Sequence, residues 1–223
     1  MKTRYFSPET IAQKAQAMKD DVLPILRGQT TFTPANSALL VLDMQRYFLD
    51  ADSHAYIPSA DAILLNIQAL VAAYVDAGLP IVWTRHLNIP ADAGGMSRWW
   101  RDLIDVDNPL SEIHPTFDTS SGLVITKTQY DAFYQTDLAV HLGEQNVTQI
   151  VVAGVMTHLC CETTARSAFV QGFDVFFLID GTATYIEGFH RATLLNLAHG
   201  FSAPVLSKGI LSAIKSDENT EKG

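Results

Sequence analysis

The chain has two cysteines, and they stand side by side in VVAGVMTHLCCETTARSAF, residues 151–169. A thiol attacks carbonyl carbon as the thiolate, so such a residue calls for a base to take its proton and a cation to steady the charge. Both are present at comparable places. Asp43 follows the apolar run ALLVL and Lys127 follows LVIT, while Thr84-Arg85-His86 and Asp180 close two further runs, PIVW and DVFFLI. Taken singly, Asp43 and Asp180 read as helix caps and Lys127 as a solvated charge. Three such residues beside a cysteine favour chemistry.

The two cysteines differ in what surrounds them. Cys161, Thr164, Ala165 and Ala168 recur at helical spacing and make a small-residue face suited to packing on a sheet. Cys160 lies about 100° round the helix and nearer the preceding turn. Cys161 is therefore the expected core residue and Cys160 the candidate nucleophile. A helix N-terminus and a nearby lysine both favour the thiolate, so a lowered thiol pKa is expected at Cys160.

These residues need elements to hold them. The runs at 38–43, 80–84, 123–126, 149–154 and 174–180 are short and evenly apolar, as buried parallel strands are, with APVL at 203–206 as a sixth. Between them lie helical patterns at 133–144, 158–171 and 187–200. The segment ADAILLNIQALVAAYVDAG places Ile63, Ile67, Leu70, Val71, Tyr74 and Val75 on one face, with Gly78 as its C-cap. Alternation of this kind predicts a three-layer α/β/α sandwich on a mainly parallel sheet of about six strands, a Rossmann-like arrangement. Ligands bind outside the carboxyl ends of such strands, where Asp43, Lys127 and the cysteine loop are expected to meet.

One domain spanning 1–223 is expected, with a helical extension over 1–35. Residues 87–122, with NIPADAGGMSRWWRDLI, break the rhythm and read as a lid over a pocket. The polar tail KSDENTEKG is expected to fray. A net charge of −9 argues against a nucleic-acid partner, and no apolar run is long enough for a membrane span. Two adjacent cysteines make no disulfide framework, which suits a cytoplasmic setting.

Three segments carry a resemblance to a known family. LLVLDMQRYF, ITKTQYDAF and GVMTHLCCETTARSAF, in that order, resemble the isochorismatase-like cysteine hydrolases over residues 36–210. The resemblance implies the three-layer fold and a catalytic triad of Asp43, Lys127 and Cys160. It also implies a cis peptide at Val155–Met156, and an oxyanion hole from the backbone N–H groups of Met156 and Cys160. The amidase branch implies cleavage of a C–N bond in a small amide or carbamoyl substrate through a thioester. The isochorismatase branch implies instead vinyl-ether cleavage with Asp43 as acid. A non-catalytic binding module is a third reading, disfavoured by an intact triad.

Nicotinamidase-type relatives carry Asp-x-His and a further His after the second strand, where this chain has TRHLNIP, so no metal and no cofactor are expected. Phe48, His86, Trp99, Tyr130 and Phe133 flank the matched segments and are the expected pocket wall. Trp99 and Trp100 point different ways in any regular structure, and Trp99 is assigned to the pocket. Arg85, Arg98 and Arg101 are candidates for holding a substrate carboxylate. Analogy with fold-mates implies a homodimer or homotetramer, with the N-terminal helix and 87–122 at an interface.

Overall fold

The computed structural model describes residues 2–28 and 30–221. The apolar runs become β1 (Ser37–Leu42), β2 (Ile81–His86), β3 (Leu123–Lys127), β4 (Gln149–Val155), β5 (Asp174–Ala183) and β6 (Ala203–Val205). All neighbours pair in parallel, in the order β3-β2-β1-β4-β5-β6. Every residue of β1 and of β4 is buried, as expected of central strands covered on both faces.

The helices are α1 (Ile11–Val22), α2 (Arg46–Leu49), α3 (Leu64–Asp76), α4 (Met96–Trp99), α5 (Leu138–Glu144), α6 (Glu162–Val170), α7 (Glu187–Gly200) and α8 (Ser207–Glu221). α3 and α8 pack together against one face of the sheet, and α1, α6 and α7 against the other. α3 buries Ile67, Leu70 and Tyr74 of its expected stripe but leaves Val75 half in water. α1 and the strap before it are part of the core, since Ile11, Ala15, Met18 and Val22 of the helix and Tyr5 and Phe6 ahead of it are all buried.

Four expectations change. The helix expected from 133 starts at Leu138, because Asp131 accepts from the Phe133 N–H and holds the chain in a turn. The helix expected from 158 opens with a π-helical turn, Thr157–Cys161. The fifth strand does not end at Asp180 but runs through a bulge to Ala183. Asp180 lies inside it and caps α8, accepting from Ser207 N at 2.8 Å and Ser207 Oγ at 2.7 Å. Most of the tail expected to fray is the end of α8, and Lys222 and Gly223 lie outside the described residues.

The strand order places the site. From β1 the chain steps outward to β2 and β3, then crosses back to β4 on the other side of β1. That reversal opens a crevice at the carboxyl ends of β1 and β4. Gly154 keeps the two strands together there. It pairs with Leu42 at φ +111°, and a Cβ on it would sit 2.1 Å from the Leu42 carbonyl oxygen. Gly154→Ala is expected to lose at least about 2 kcal/mol in urea unfolding, because positive φ and backbone overlap act together. A stability equal to wild type would show that β1 and β4 can part without cost.

Candidate active site

Four adjacent strand ends each contribute one group. Asp43 follows β1 with φ 51°, a left-handed conformation uncommon outside glycine. Thr84 on β2 holds it there: its hydroxyl donates to Asp43 Oδ1 at 2.6 Å and accepts from the Asp43 N–H at 3.1 Å. Lys127 ends β3, in register with His86 at the end of β2. Its side chain reaches over β2 to put Nζ 2.7 Å from Asp43 Oδ2, and both side chains are wholly shielded from water. The ammonium also donates to Gln129 O at 3.0 Å and lies 3.4 Å from both Cys160 Sγ and His86 Nδ1.

Beyond β4, the Val155–Met156 peptide is cis, and the π-helical turn then carries Cys160 over the strand ends. Cys161 faces the sheet with Thr164, Ala165 and Ala168, all buried. Asp43, Lys127 and Cys160 are thus brought into contact, with His86 beside them.

The charges settle which protons are where. Burial, the largest single influence, would raise the Asp43 carboxyl, but the Lys127 ammonium together with His86 and Cys160 holds the group below its ordinary range. Burial, the largest single influence, would lower Lys127, and the Asp43 carboxylate together with Cys160 more than compensates. Cys160 goes the other way from expectation. Burial pushes its thiol well up, the Asp43 charge adds to this, and Lys127 offsets only part. One carboxylate and one ammonium already neutralise each other, so a third buried charge has no partner. The resting site is a neutral thiol 3.4 Å from the Lys127 ammonium, beside an ionised acid. His86 is pushed down to about 4 by burial and the Lys127 charge, and so is neutral near pH 7. Its Nε2 bonds Asn88 Oδ1 at 2.7 Å, while Asn88 Nδ2 donates to Thr128 O. With Oδ1 fixed as the acceptor, the imidazole proton sits on Nε2 and the Nδ1 lone pair faces Lys127.

Asp43, His86 and Cys160 offer ligand atoms within 4.8 Å of one another, a set able to hold a metal ion. Lys127 Nζ stands 2.7 to 3.4 Å from an atom of each. The ammonium already fills the cation position, and a divalent ion would meet it at contact distance. These residues do not fit a metal.

Cys160 opens on a cavity of about 290 Å³. Its floor is Met156, Cys160 and His86, and Asp43 and Lys127 lie beneath. Phe48, His86 and Tyr130 line it as expected. Trp99 and Phe133 do not. Trp99 is 79% exposed on α4, and its neighbour Trp100 turns inward, donating from Nε1 to Tyr130 Oη at 2.6 Å. Phe133 points away from the cavity to stack on Phe173. Arg85 is tied to Ser111 and Glu112, and of the three arginines only Arg101 reaches the cavity. Lys2 and Tyr185 also line it and carried no sequence signal, since each arrives through long-range packing, while Tyr47 lines it from α2, beside Phe48 in the first matched segment.

The ion pair sets the pH window of the site. Asp43 is depressed, so its contribution is present above its ordinary 3.8 and lost as pH falls through its lower folded value. Lys127 is raised, so its contribution is present below 10.5 and lost as pH climbs through its higher folded value. Asp43→Asn leaves the ammonium unpaired and is expected to cost about 3–5 kcal/mol in urea unfolding. It also removes the charge that opposes the thiolate. In a Cys161→Ala background, iodoacetamide should alkylate Cys160 slowly at pH 7 and faster in Asp43→Asn; the reverse order would overturn the neutral resting thiol.

Known proteins resemble this chain in sequence and in fold. The isochorismatase domain model matches residues 37–208. Nicotinamidase 3 of Arabidopsis thaliana is 40% identical over 74% of this chain and 82% of its own length. The isochorismatase of Bacillus subtilis is 27% identical over 82% of this chain, which spans 59% of that relative. A cysteine hydrolase from Pseudomonas syringae pv. phaseolicola superposes with a TM-score of 0.81 at 25% identity, over 86% of this chain and 98% of its own. The three-layer sheet, the cysteine turn at its switch point and these matches together show that the chain belongs to the isochorismatase domain family.

Proposed function

We propose that the protein is a cysteine hydrolase that cleaves the C–N bond of a small amide or carbamoyl compound, with Asp43, Lys127 and Cys160 as its catalytic residues. The observation that carries this is geometric: Cys160 lines the cavity with its Sγ 3.4 Å from Lys127 Nζ, which in turn lies 2.7 Å from Asp43 Oδ2. Asp43 takes the thiol proton as sulfur attacks the carbonyl carbon, and Lys127 stabilises the sulfur as charge develops on it. The backbone N–H groups of Met156 and Cys160 hold the resulting oxyanion, a contribution of about 3–4 kcal/mol per donor in well-studied hydrolases. The C–N bond breaks as the nitrogen takes the proton from Asp43, leaving a thioester. Water then gives a proton to Asp43 and its oxygen to the acyl carbon, and the thiol is restored.

The similarity to a nicotinamidase supports amide cleavage. The isochorismatase relative raises the vinyl-ether alternative, which needs a protonated Asp43. Lys127 holds that carboxyl ionised, so the thiol route is favoured. The proposal extends to a single catalytic domain with 87–122 as its lid, working on small molecules in the cytoplasm. Exposed Ile89, Trp99 and Val106 on that segment support a homodimer or homotetramer.

Ammonia release from amides, ureido acids and nicotinamide, with isochorismate turnover followed in parallel, tests the reading. Cys160→Ala is expected to lose at least about 10³-fold in kcat. Cys161→Ala should keep turnover and lose about 1 kcal/mol of stability through a small packing defect. Isochorismate cleaved equally by wild type and Cys160→Ala would replace the thioester route with acid catalysis by Asp43.

A further inference from the structure

Lys2 is a charged group of the cavity wall that the proposed mechanism leaves unused. Its Nζ donates to the carbonyl oxygens of His54 and Tyr56 and lies 4.3 Å from the centre of the Tyr185 ring. Among the described residues no carboxylate stands within ion-pair distance of it. The acid of the cavity wall, Asp102, faces His54 and Arg101 instead, each at 3.5 Å. Asp43 and Lys127 cancel beneath the floor. The cavity is therefore left with surplus positive charge in a chain whose net charge is −9.

The ammonium is also fixed in place before any ligand arrives. The Thr3 N–H donates to Tyr185 O at 2.9 Å, and Arg4 bonds Pro58 O and Asp61. Tyr5 and Phe6 N–H groups both donate to Ser59 Oγ, at 2.9 and 3.1 Å. Tyr5 Oη bonds His190 Nδ1 at 2.9 Å, and that nitrogen lies 3.2 Å from Thr157 Oγ1, at the start of the cysteine turn. The N-terminal strap is thus tied to the same turn that carries Cys160. A positioned cation spares a ligand much of the ordering cost of binding.

We infer that Lys2 anchors a carboxylate on the substrate, so that the cavity takes amides or carbamoyl compounds with an anionic group away from the scissile C–N bond. The aromatic wall between, Tyr47, Phe48 and Tyr130, encloses the body of the molecule. This rests on the hydrolase reading above, and its test separates the two.

Calorimetric titration of the Cys160→Ala protein with 3-ureidopropionate and with propylurea, which has an uncharged methyl in place of the carboxylate, reads binding without turnover. With Lys2 present, the carboxylate compound is expected to bind at least tenfold tighter than propylurea. Lys2→Met should remove that preference by weakening 3-ureidopropionate at least tenfold more than propylurea, while Lys2→Arg should restore most of it. The inference is overturned if Lys2→Met retains the preference, if propylurea binds equally well with Lys2 in place, or if 3-ureidopropionate fails to bind. Ammonia release by wild type with no preference for the anion would remove the anchor and leave the hydrolase intact. Anion-selective binding without turnover would do the opposite.

Discussion

An ammonium and a carboxylate buried out of reach of water, 2.7 Å apart, set the terms for everything around them. Withdrawing two charges from solvent costs several kcal/mol each, and good geometry with added hydrogen bonds must repay it. Thr84 and Gln129 supply those bonds, and the strand order supplies the geometry. A lysine at the end of β3 reaches over the end of β2 to meet the acid that follows β1. Once made, the pair dictates the thiol's protonation, excludes a second cation from the cluster, and keeps Asp43 ionised. Electrostatics that would look unfavourable for a free thiolate instead make a base ready beside a thiol.

Much of this was legible because buried parallel strands announce themselves. Their apolar runs end abruptly, and the residue after each run falls on one edge of the sheet. Asp43, Lys127 and the cysteine turn could be placed together on that ground, and the cysteines told apart by a small-residue face. An apolar run that continues under a polar residue hides its own end. Asp180 sits inside β5 because a bulge carries the strand onward, and its carboxylate caps α8.

The cavity wall was far less legible. Trp99 and Trp100 are equivalent in type and adjacent in sequence, and which one turns inward depends on a hydrogen bond to Tyr130, 30 residues away. Phe133 adjoins a matched segment yet stacks on Phe173. Lys2 reaches the cavity through contacts with residues beyond position 50, so no local pattern marks it. The thiol's protonation is illegible in the sequence for a related reason. Helix and lysine effects can be read from neighbours in sequence, whereas burial against Asp43 is a property of the folded edge.

Floor and wall thus have different origins. The floor hangs from paired strands, where a change at Gly154 or Thr84 disturbs the sheet itself. Most of the wall comes from the strap before α1, the turn after α2 and the irregular 87–122 segment, none of which takes part in the sheet's ladder. Such a division makes the molecule evolvable in a particular sense. Selection can remodel what the enzyme recognises by exchanging side chains on these peripheral segments, while the inherited bond-breaking apparatus stays under separate constraint.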